Sequence, residues 1–293
     1  MAVSTAGMVA RRRFGHVLKT VRENAHRSEG GPVMQIDAAK AIKRKTIDRV
    51  SRFERGAAWP EVAELEALLK LYEADLETST RLRTMLAEGQ AIGRAWWTEF
   101  EDDFPESLIQ FIAYESAAEK VTTCAVIGLP ALLQTEGYAR AMTAGIAGTI
   151  MSTNDVERSV ELRRKRRVIF DKPTPVEFIF SEAALHQQIG GPEVMYEQLE
   201  ALLTDSATQP VTLRVIPFAA AATVMHMQHL LEFPGGDEKP IAVMDSQSGM
   251  TFQSRQKEVR ETTHYIDAMR DMALSSSDSV AMINKFKKEF SRA

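Results

Sequence analysis

The sequence contains a single cysteine, Cys124, among its 293 residues. One thiol cannot form a disulfide within the chain, and it cannot supply the several thiolates of a cysteine-based zinc site. No apolar run approaches the roughly 20 residues that a membrane-spanning helix requires. The basic cluster at 11–13 follows the mildly apolar N-terminus, whereas a secretory signal has the reverse order. These absences favour a cytoplasmic protein with no membrane partner.

The sequence also lacks the short motifs of common catalytic sites. It contains no glycine-rich phosphate loop, no Gly-x-Ser-x-Gly and no His-Glu-x-x-His. His226 and His229 are three residues apart on a predicted strand, where they would face opposite sides, so we do not expect a metal site there. We therefore expect no enzyme activity, no metal and no cofactor, and we expect Cys124 to be a buried thiol.

Composition is that of a globular protein, with 44% hydrophobic and 26% charged residues, and the length suits one large or two ordinary domains. Charge is distributed unevenly along the chain. Residues 1–60 hold 13 Lys/Arg and 5 Asp/Glu, a balance of +8, which leaves −12 for the rest of a chain whose net charge is −4. A basic N-terminal region favours contact with a polyanion such as DNA, although a short N-terminal region can also be basic by chance.

Segment 43–56, Lys-Arg-Lys-Thr-Ile-Asp-Arg-Val-Ser-Arg-Phe-Glu-Arg-Gly, has the pattern of a short helix with two different sides. Val50 and Phe53, three apart, can face a core, while polar and basic residues share the solvent side. Thr46 is the predicted N-cap, and Gly56 stands where the helix is expected to end. A small helix that presents arginine, aspartate and serine outward suits the reading of base edges in a major groove.

Another helix is predicted just before this one, at 35–42, where Ala38 and Ala39 allow two helices to pack closely. Two short helices joined by the turn at 43–46 form a helix-turn-helix, whose second helix enters the major groove by its N-terminal end. Because one such helix reads only a few base pairs, we expect a homodimer bound to double-stranded DNA.

The residues predicted to contact DNA surround this second helix. Arg49 and Arg52 can bind guanine or phosphate, Asp48 can accept from a cytosine amine, and Ile47 can touch a thymine methyl group. Alternatively, Asp48 pairs with Arg52 on a solvated helix, and Gln35 is a simple helix-start residue. The remaining basic residues are expected to contact phosphates, which position the protein without specifying sequence. The full predicted set is Gln35, Lys43, Arg44, Lys45, Thr46, Ile47, Asp48, Arg49, Ser51, Arg52 and Arg55.

Residues 51–56, Ser-Arg-Phe-Glu-Arg-Gly, are followed by Trp59-Pro60 and an apolar helix. This arrangement resembles the S-R-I-E-R-G…P ending of phage-repressor-type (Xre/Cro) DNA-binding domains. Further matches are Gln35, Ala38-Ala39 and Val50, for the family's glutamine, alanines and buried isoleucine. The turn at 43–46 is one residue longer than the family's turn and lacks its glycine, and the loop between the first two helices is about five residues longer.

The rest of the chain carries a second set of motifs. They are Trp96-Trp97, Tyr114-Glu115, 130–135 (Pro-Ala-Leu-Leu-Gln-Thr), Tyr138-Ala139-Arg140, the basic cluster at 163–167, Glu182, Leu185, Gly190-Gly191, Gln198-Leu199 and 215–218 (Val-Ile-Pro-Phe). Together they resemble the C-terminal domain of actinomycete Scr1-type, antitoxin-like transcriptional regulators, except that Ala131 replaces a glycine and Arg167 a glutamine. The resemblance covers nearly the whole chain. It implies a regulator that is often paired with a small partner protein, and it implies no catalysis.

We predict an N-terminal all-α helix-turn-helix domain of about five helices at 1–75, a helical linker at 76–104, and an α+β regulatory domain with a mainly antiparallel sheet at 105–293. In the last domain, helices are predicted at 106–121, 135–146, 153–170, 191–205, 255–273 and 277–291. Strands are predicted at 175–181, 211–216, 227–233 and 239–245, with the turn Pro-Gly-Gly-Asp at 234–237 joining the last two.

The basic cluster at 163–167 is either a second nucleic-acid patch or a set of salt bridges within an acidic domain, and its surroundings favour salt bridges. The sequence thus predicts a DNA-binding transcriptional regulator whose C-terminal domain responds to a partner protein or a ligand. Two alternatives remain open at this point. One is an antitoxin-like protein-interaction module, and the other is a one-component regulator that senses a metabolite.

Overall fold

The computed structural model of the chain describes residues 5–26, 30–91, 96–125, 128–147, 151–221, 225–233, 239–246 and 249–291. The chain divides into two compact units, and the main boundary lies after Glu101. Within the described ranges, no helix combines the length and the apolar character that crossing a membrane requires.

The N-terminal unit is helical, as predicted. Its α-helices in the described ranges are α1 (Thr5–Asn24), α2 (Gln35–Ala41), α3 (Asp48–Glu54), α4 (Val62–Leu71) and α5 (Leu76–Ala91), and a 3-10 helix spans Trp96–Phe100. At the start of α2, the backbone N–H of Met34 donates to the Asp37 carboxylate over 2.9 Å. This contact fixes the entry of the chain into α2, as half of a capping box does.

The core of the N-terminal unit consists of apolar side chains spaced three and four residues apart. Phe14, Val17 and Leu18 of α1 are fully buried, and this spacing places them on one helix face. Leu82 and Leu86 of α5 belong to the same core. Residues 76–91, predicted as a linker, are therefore part of the N-terminal unit, because α5 contributes two leucines to its core.

The C-terminal unit mixes helices and strands. Its α-helices are α6 (Glu106–Ala117), α7 (Glu136–Ala147), α8 (Thr153–Arg166), α9 (Ala183–His186), α10 (Pro192–Thr208), α11 (Gln256–Met272) and α12 (Ser276–Phe290). Its strands are β1 (Lys120–Ala125), β2 (Val176–Ser181), β3 (Val211–Ile216), β4 (Met227–Glu232), β5 (Ile241–Ser246) and β6 (Gly249–Gln253). Two 3-10 helices span Ala131–Leu133 and Arg167–Asp171. The sequence pattern predicts neither α9 nor the 3-10 helices, so the helix count differs from the prediction.

The six strands form one mixed sheet in the order β3-β2-β1-β4-β5-β6. β1 pairs in parallel with β2, and β2 in parallel with β3. The pairs β1–β4, β4–β5 and β5–β6 are antiparallel. The prediction of a mainly antiparallel sheet is therefore wrong. The cause is the connections: α7 and α8 lie between β1 and β2, and α10 lies between β2 and β3. Such helical crossovers return the chain in the same direction.

β1 lies inside the sheet and is absent from the predicted strands. Val121, Cys124 and Ala125 are fully buried, and Thr122 and Thr123 are 1% and 3% exposed. A strand that is buried on both faces has no alternation of polar and apolar residues, so it lacks the periodicity on which strand prediction rests.

The predicted strands at 175–181, 211–216, 227–233 and 239–245 correspond to β2–β5. β4 and β5 are antiparallel neighbours, with Leu231 opposite Ile241. The predicted turn at 234–237 lies outside the described residues. β6, which follows closely after β5, is a strand that the pattern does not predict.

Different helices cover the two faces of the sheet. On one face, Cys124 and Leu230 pack with Ile266 and Met269 of α11. His229 is adjacent to Leu230 along β4 and therefore points to the opposite face, where its ring lies 4.6 Å from that of Phe111 in α6, between centroids. The C-terminal unit thus has helices on both sides of a central sheet.

Candidate nucleic-acid interface

The predicted turn begins with a left-handed residue at the end of α2. Lys43 has a φ of 57°, a conformation that glycine adopts more easily than any residue with a side chain. Its N–H donates to the Lys40 carbonyl over 2.9 Å, and the Arg44 N–H donates to the Ala39 carbonyl over 2.8 Å. These two bonds are those of a Schellman motif, which ends a helix by satisfying its last carbonyls. Lys43 therefore takes the conformation that the glycine of a shorter turn would supply.

The helix that follows is shorter at its N-terminus than predicted. α3 begins at Asp48, and the N-cap position is held by Ile47, not Thr46. The Thr46 hydroxyl instead donates to the Asp48 carboxylate over 2.9 Å. The C-terminal prediction is confirmed: Gly56, with a φ of 68°, ends the helix, and the Ala57 N–H donates to the Arg52 carbonyl over 2.8 Å.

α3 has the two sides expected from its sequence. Val50 and Phe53 are fully buried, in the same core as Ala38 and Ala39 of α2. On the other side, residues 43–48 form an unbroken exposed run. Arg52 and Arg55 are also exposed, while Arg49 and Ser51 are half-buried. Among the described residues, no carboxylate pairs with Arg52, so the alternative of an Asp48–Arg52 pair is not realised.

Arg49 is held by a carboxylate of α4. Its Nε and Nη2 donate to the two oxygens of Glu64 over 2.9 and 2.8 Å, and Nη2 of Arg44 lies 3.5 Å from the same carboxylate. Burial opposes ionisation of Glu64, but the hydrogen bonds from Arg49 and from the Glu61 N–H outweigh it and hold the pKa of Glu64 below its usual range. The Arg49 guanidinium, predicted to contact DNA, is therefore held by a partner inside the protein.

A buried ion pair connects the three helices of this region. Arg22 of α1 donates to both oxygens of Glu54 in α3, over 2.6 and 3.1 Å, and to the Val33 carbonyl over 3.0 Å. Gln35, at the start of α2, donates its side-chain N–H to Glu54 over 2.7 Å. The Glu54 carboxylate is therefore held by a guanidinium and an amide from two other parts of the unit. The Gln35 amide, predicted to contact DNA, is engaged inside the protein because Glu54 lies within its reach.

The basic cluster at 163–167 makes ion pairs within the C-terminal unit, as expected. Arg166 binds both oxygens of Glu115 over 3.1 and 2.9 Å, with side chains 8% and 4% exposed. Arg167 binds both oxygens of Asp205 over 3.1 and 2.7 Å. Sequence reasoning does not identify these partners, because they lie 51 and 38 residues away along the chain.

His229 is buried beneath α6 and does not join His226, which is exposed. Its Nδ1 lies 2.9 Å from the Thr123 hydroxyl. Within the described residues, no cluster of His, Cys, Asp and Glu side chains could hold a metal ion. Burial, with a smaller contribution from the charge of Arg166, lowers the pKa of His229 from 6.5 to about 3. The imidazole is therefore neutral in the folded protein.

This burial predicts a loss of stability in mild acid. Below pH 6.5 the unfolded chain binds a proton at His229 that the folded chain does not bind, so stability falls as pH falls from 6.5 towards 3. The contribution between pH 7 and pH 5 is about 2 kcal/mol. Urea unfolding of the C-terminal unit at both pH values should show that His229→Asn, which keeps a polar group near Thr123, loses about 2 kcal/mol less than the natural chain. The exposed His226→Asn serves as control, and equal pH dependence in the His229 variant would contradict the assignment.

Cys124 is buried, as predicted. Burial, and to a smaller extent the negative charge of Glu177, raises the pKa of its thiol to about 12. Since the thiolate is the reactive form, this cysteine is suited to packing and not to nucleophilic chemistry.

Residues 108–285 match the family described as "Domain of unknown function (DUF5753)". No curated protein and no solved structure matches the chain. The match runs from α6 to α12 and covers the sheet and the basic cluster, whereas the helices of the N-terminal unit lie outside it. Since the matched segment covers more than half of the sequence, the chain belongs to the DUF5753 family.

Proposed function

We propose that this protein is a sequence-specific DNA-binding transcriptional regulator of the Xre/Cro type, in which α3 enters the major groove of double-stranded DNA. One observation carries the proposal. The exposed run at 43–48 and the exposed Arg52 and Arg55 present five Lys/Arg side chains around the N-terminus and outer face of α3. Val50 and Phe53 anchor the opposite face of the same helix in the core. Insertion into a major groove requires a short basic helix whose opposite face is packed against the rest of the domain.

The contacts inside the protein support different proposed roles for the predicted DNA-binding residues. Arg52 has no internal carboxylate partner among the described residues. Of the predicted DNA-binding residues, it is the one best suited to bind a base edge. Arg49 must leave Glu64, or share it, before it can bind a base. Lys43, Arg44 and Lys45 lie in the turn and suit phosphate contacts.

Arg52→Ala is expected to weaken binding to the specific DNA site by about 1–3 kcal/mol and to relax preference at one base pair. Arg49→Ala should weaken binding less. Arg49 must give up its hydrogen bonds with Glu64 before it can bind DNA, so its net contribution to affinity is smaller. Selection of bound fragments from genomic DNA would identify the site, and fluorescence anisotropy would measure each affinity. Arg83→Ala, on the exposed surface of α5, is the control. Equal affinity of Arg52→Ala and the natural chain for that site would contradict this assignment.

Lys43→Gly separates binding from folding. Glycine relieves the left-handed strain at this position, so we expect the N-terminal unit to become more stable by about 0.5–1 kcal/mol. The same change removes a phosphate contact, so affinity should fall for all DNA sequences and the salt dependence of binding should decrease by about one unit of log–log slope. Weaker binding by a more stable protein cannot result from unfolding.

A homodimer is part of the proposal, because two copies of α3 on symmetric half-sites would give the affinity and specificity that one short helix cannot. The DUF5753 unit would then control the activity through a small partner protein or a ligand. Sedimentation of the full chain with and without its DNA site tests the dimer.

A further inference from the structure

A cavity of about 240 Å³ lies within the C-terminal unit, between the start of α7, α8 and α10. Arg163, Arg164 and Arg167 line it from α8 and its end, and Gln134 and Thr135 line it from the segment before α7. Three arginines around one small cavity suggest an anion, and the partners of each arginine decide whether one is needed.

Arg163 is the arginine without a counter-ion. Its Nη1 donates to the Ser159 carbonyl over 3.0 Å and to the Ser159 hydroxyl, and its Nε is buried without a hydrogen-bond partner. No carboxylate of the described residues pairs with it. Burial, and then the charge of Arg166, lowers the pKa of Arg163 to about 10, so it remains charged at neutral pH. Arg163 is half-buried in the lining of the cavity, so its charge is partly desolvated and an anion in the cavity would stabilise it.

Each of the other two arginines has a carboxylate partner. Arg167 is bound to Asp205 and also donates to the Leu132 carbonyl over 2.8 Å. Nε of Arg164 lies 3.8 Å from the Glu136 carboxylate, at the more exposed side of the cavity. Three guanidinium groups therefore face two carboxylates, and one positive charge is left over. This balance suits a ligand with a single anionic group.

Gln134 supplies a second unsatisfied group. Its side chain is 7% exposed, and its Nε2 donates to the Leu129 carbonyl over 2.7 Å. The Oε1 atom is buried and has no hydrogen-bond partner. An acceptor in this state is stabilised by an N–H or O–H donor, which a ligand in the cavity can supply. The cavity is smaller than the roughly 300–1,000 Å³ of drug-sized sites, so the ligand must be compact.

We propose that this cavity binds a compact small molecule whose single carboxylate or phosphate group is held by Arg163 and whose neighbouring hydroxyl or amine donates to Gln134. Such binding is independent of the DNA-binding role proposed for the N-terminal unit.

The test uses the full chain and two probes, glycolate, which carries a carboxylate beside a hydroxyl, and inorganic phosphate. Each is titrated against chloride at matched ionic strength, with calorimetric binding and thermal unfolding as readouts. At least one probe should bind saturably and raise the unfolding temperature of the C-terminal unit by about 3–5 °C at saturation, because a ligand of the folded state stabilises it. The tighter probe identifies the anionic group. No saturable effect of either probe would overturn the proposal.

Arg163→Met should abolish binding and, without a probe, raise the unfolding temperature, because it removes a partly desolvated charge that lacks a carboxylate partner among the described residues. A purely structural arginine would give the opposite shift. Arg164→Met removes a second cation that lines the cavity and is only loosely paired, and it should weaken binding about tenfold. The side chain is 57% exposed, so the fold is kept. Arg140→Met, which removes an exposed pair with Glu157 outside the cavity lining, is the matched control and should bind as the natural chain does. Undiminished binding by either Arg163→Met or Arg164→Met would overturn the proposal.

Discussion

Arg22→Met is expected to lower the free energy of unfolding of the N-terminal unit by about 3–5 kcal/mol, because it leaves the Glu54 carboxylate buried without its cation. The two side chains are 9% and 2% exposed, and Glu54 accepts two hydrogen bonds from Arg22. Only the amide of Gln35 would remain as its donor. Guanidinium unfolding followed by circular dichroism should show the loss at the N-terminal transition.

The same unit offers a matched control. Arg83 donates to both oxygens of Glu66 over 2.7 and 2.8 Å, the same geometry as the buried pair, but the side chains are 47% and 44% exposed. Arg83→Met should change stability little, because water replaces an exposed partner. If the two variants behave alike, burial does not determine the cost. The double substitution Arg22→Met/Glu54→Leu should recover much of the loss, because it removes both charges together.

Gly56→Ala is expected to destabilise the N-terminal unit by about 2–5 kcal/mol, from two independent causes. The φ of 68° places this residue in the left-handed region, which an alanine side chain disfavours. In addition, an added Cβ would lie 2.6 Å from both the Cα and the N of Arg12, so the backbone of α1 would have to move. The loss should appear as a lower denaturation midpoint with an unchanged slope on denaturant.

Gly30→Ala isolates the first of these causes. Gly30 has a φ of 89°, but a Cβ built there meets no atom within 4 Å. We expect it to cost about 1–2 kcal/mol at most. A Gly56→Ala loss no larger than the Gly30→Ala loss would show that α1 moves aside freely. The proposed DNA binding, measured where Gly56→Ala is still folded, should also weaken, since the displaced backbone supports α3.

Local sequence patterns predict those helices and strands whose bounds depend on neighbouring residues in the chain. The spacing of Val50 and Phe53, and the position of Gly56, define one side and the end of α3 correctly. The strands β2–β5 alternate or cluster apolar residues between turn signals, and they are found within about two residues of their predicted bounds. The failure at β1 has the same origin, since a fully buried strand carries no alternation.

The partners of the site could not be predicted, because they depend on distance in space. Arg49 and Glu64 are 15 residues apart in sequence, and Arg22 and Glu54 are 32 apart. Sequence alone predicts a helix whose arginines would suit DNA. It does not show that one of them is held internally, or that Arg163 has no carboxylate partner while Arg166 and Arg167 each have one.

The position of β1 between β2 and β4 also sets the order in which the chain can fold during synthesis. Val121 pairs with Val176 on one side and with Leu231 on the other. The ribosome must therefore add more than a hundred residues after β1 before β4, its second neighbour, is available for pairing. The described contacts of the N-terminal unit, in contrast, join residues within the first 101. The N-terminal unit can therefore fold while the ribosome is still translating the sheet. A chain that ends before β4 would expose one side of β1, which makes it a target for aggregation and proteolysis.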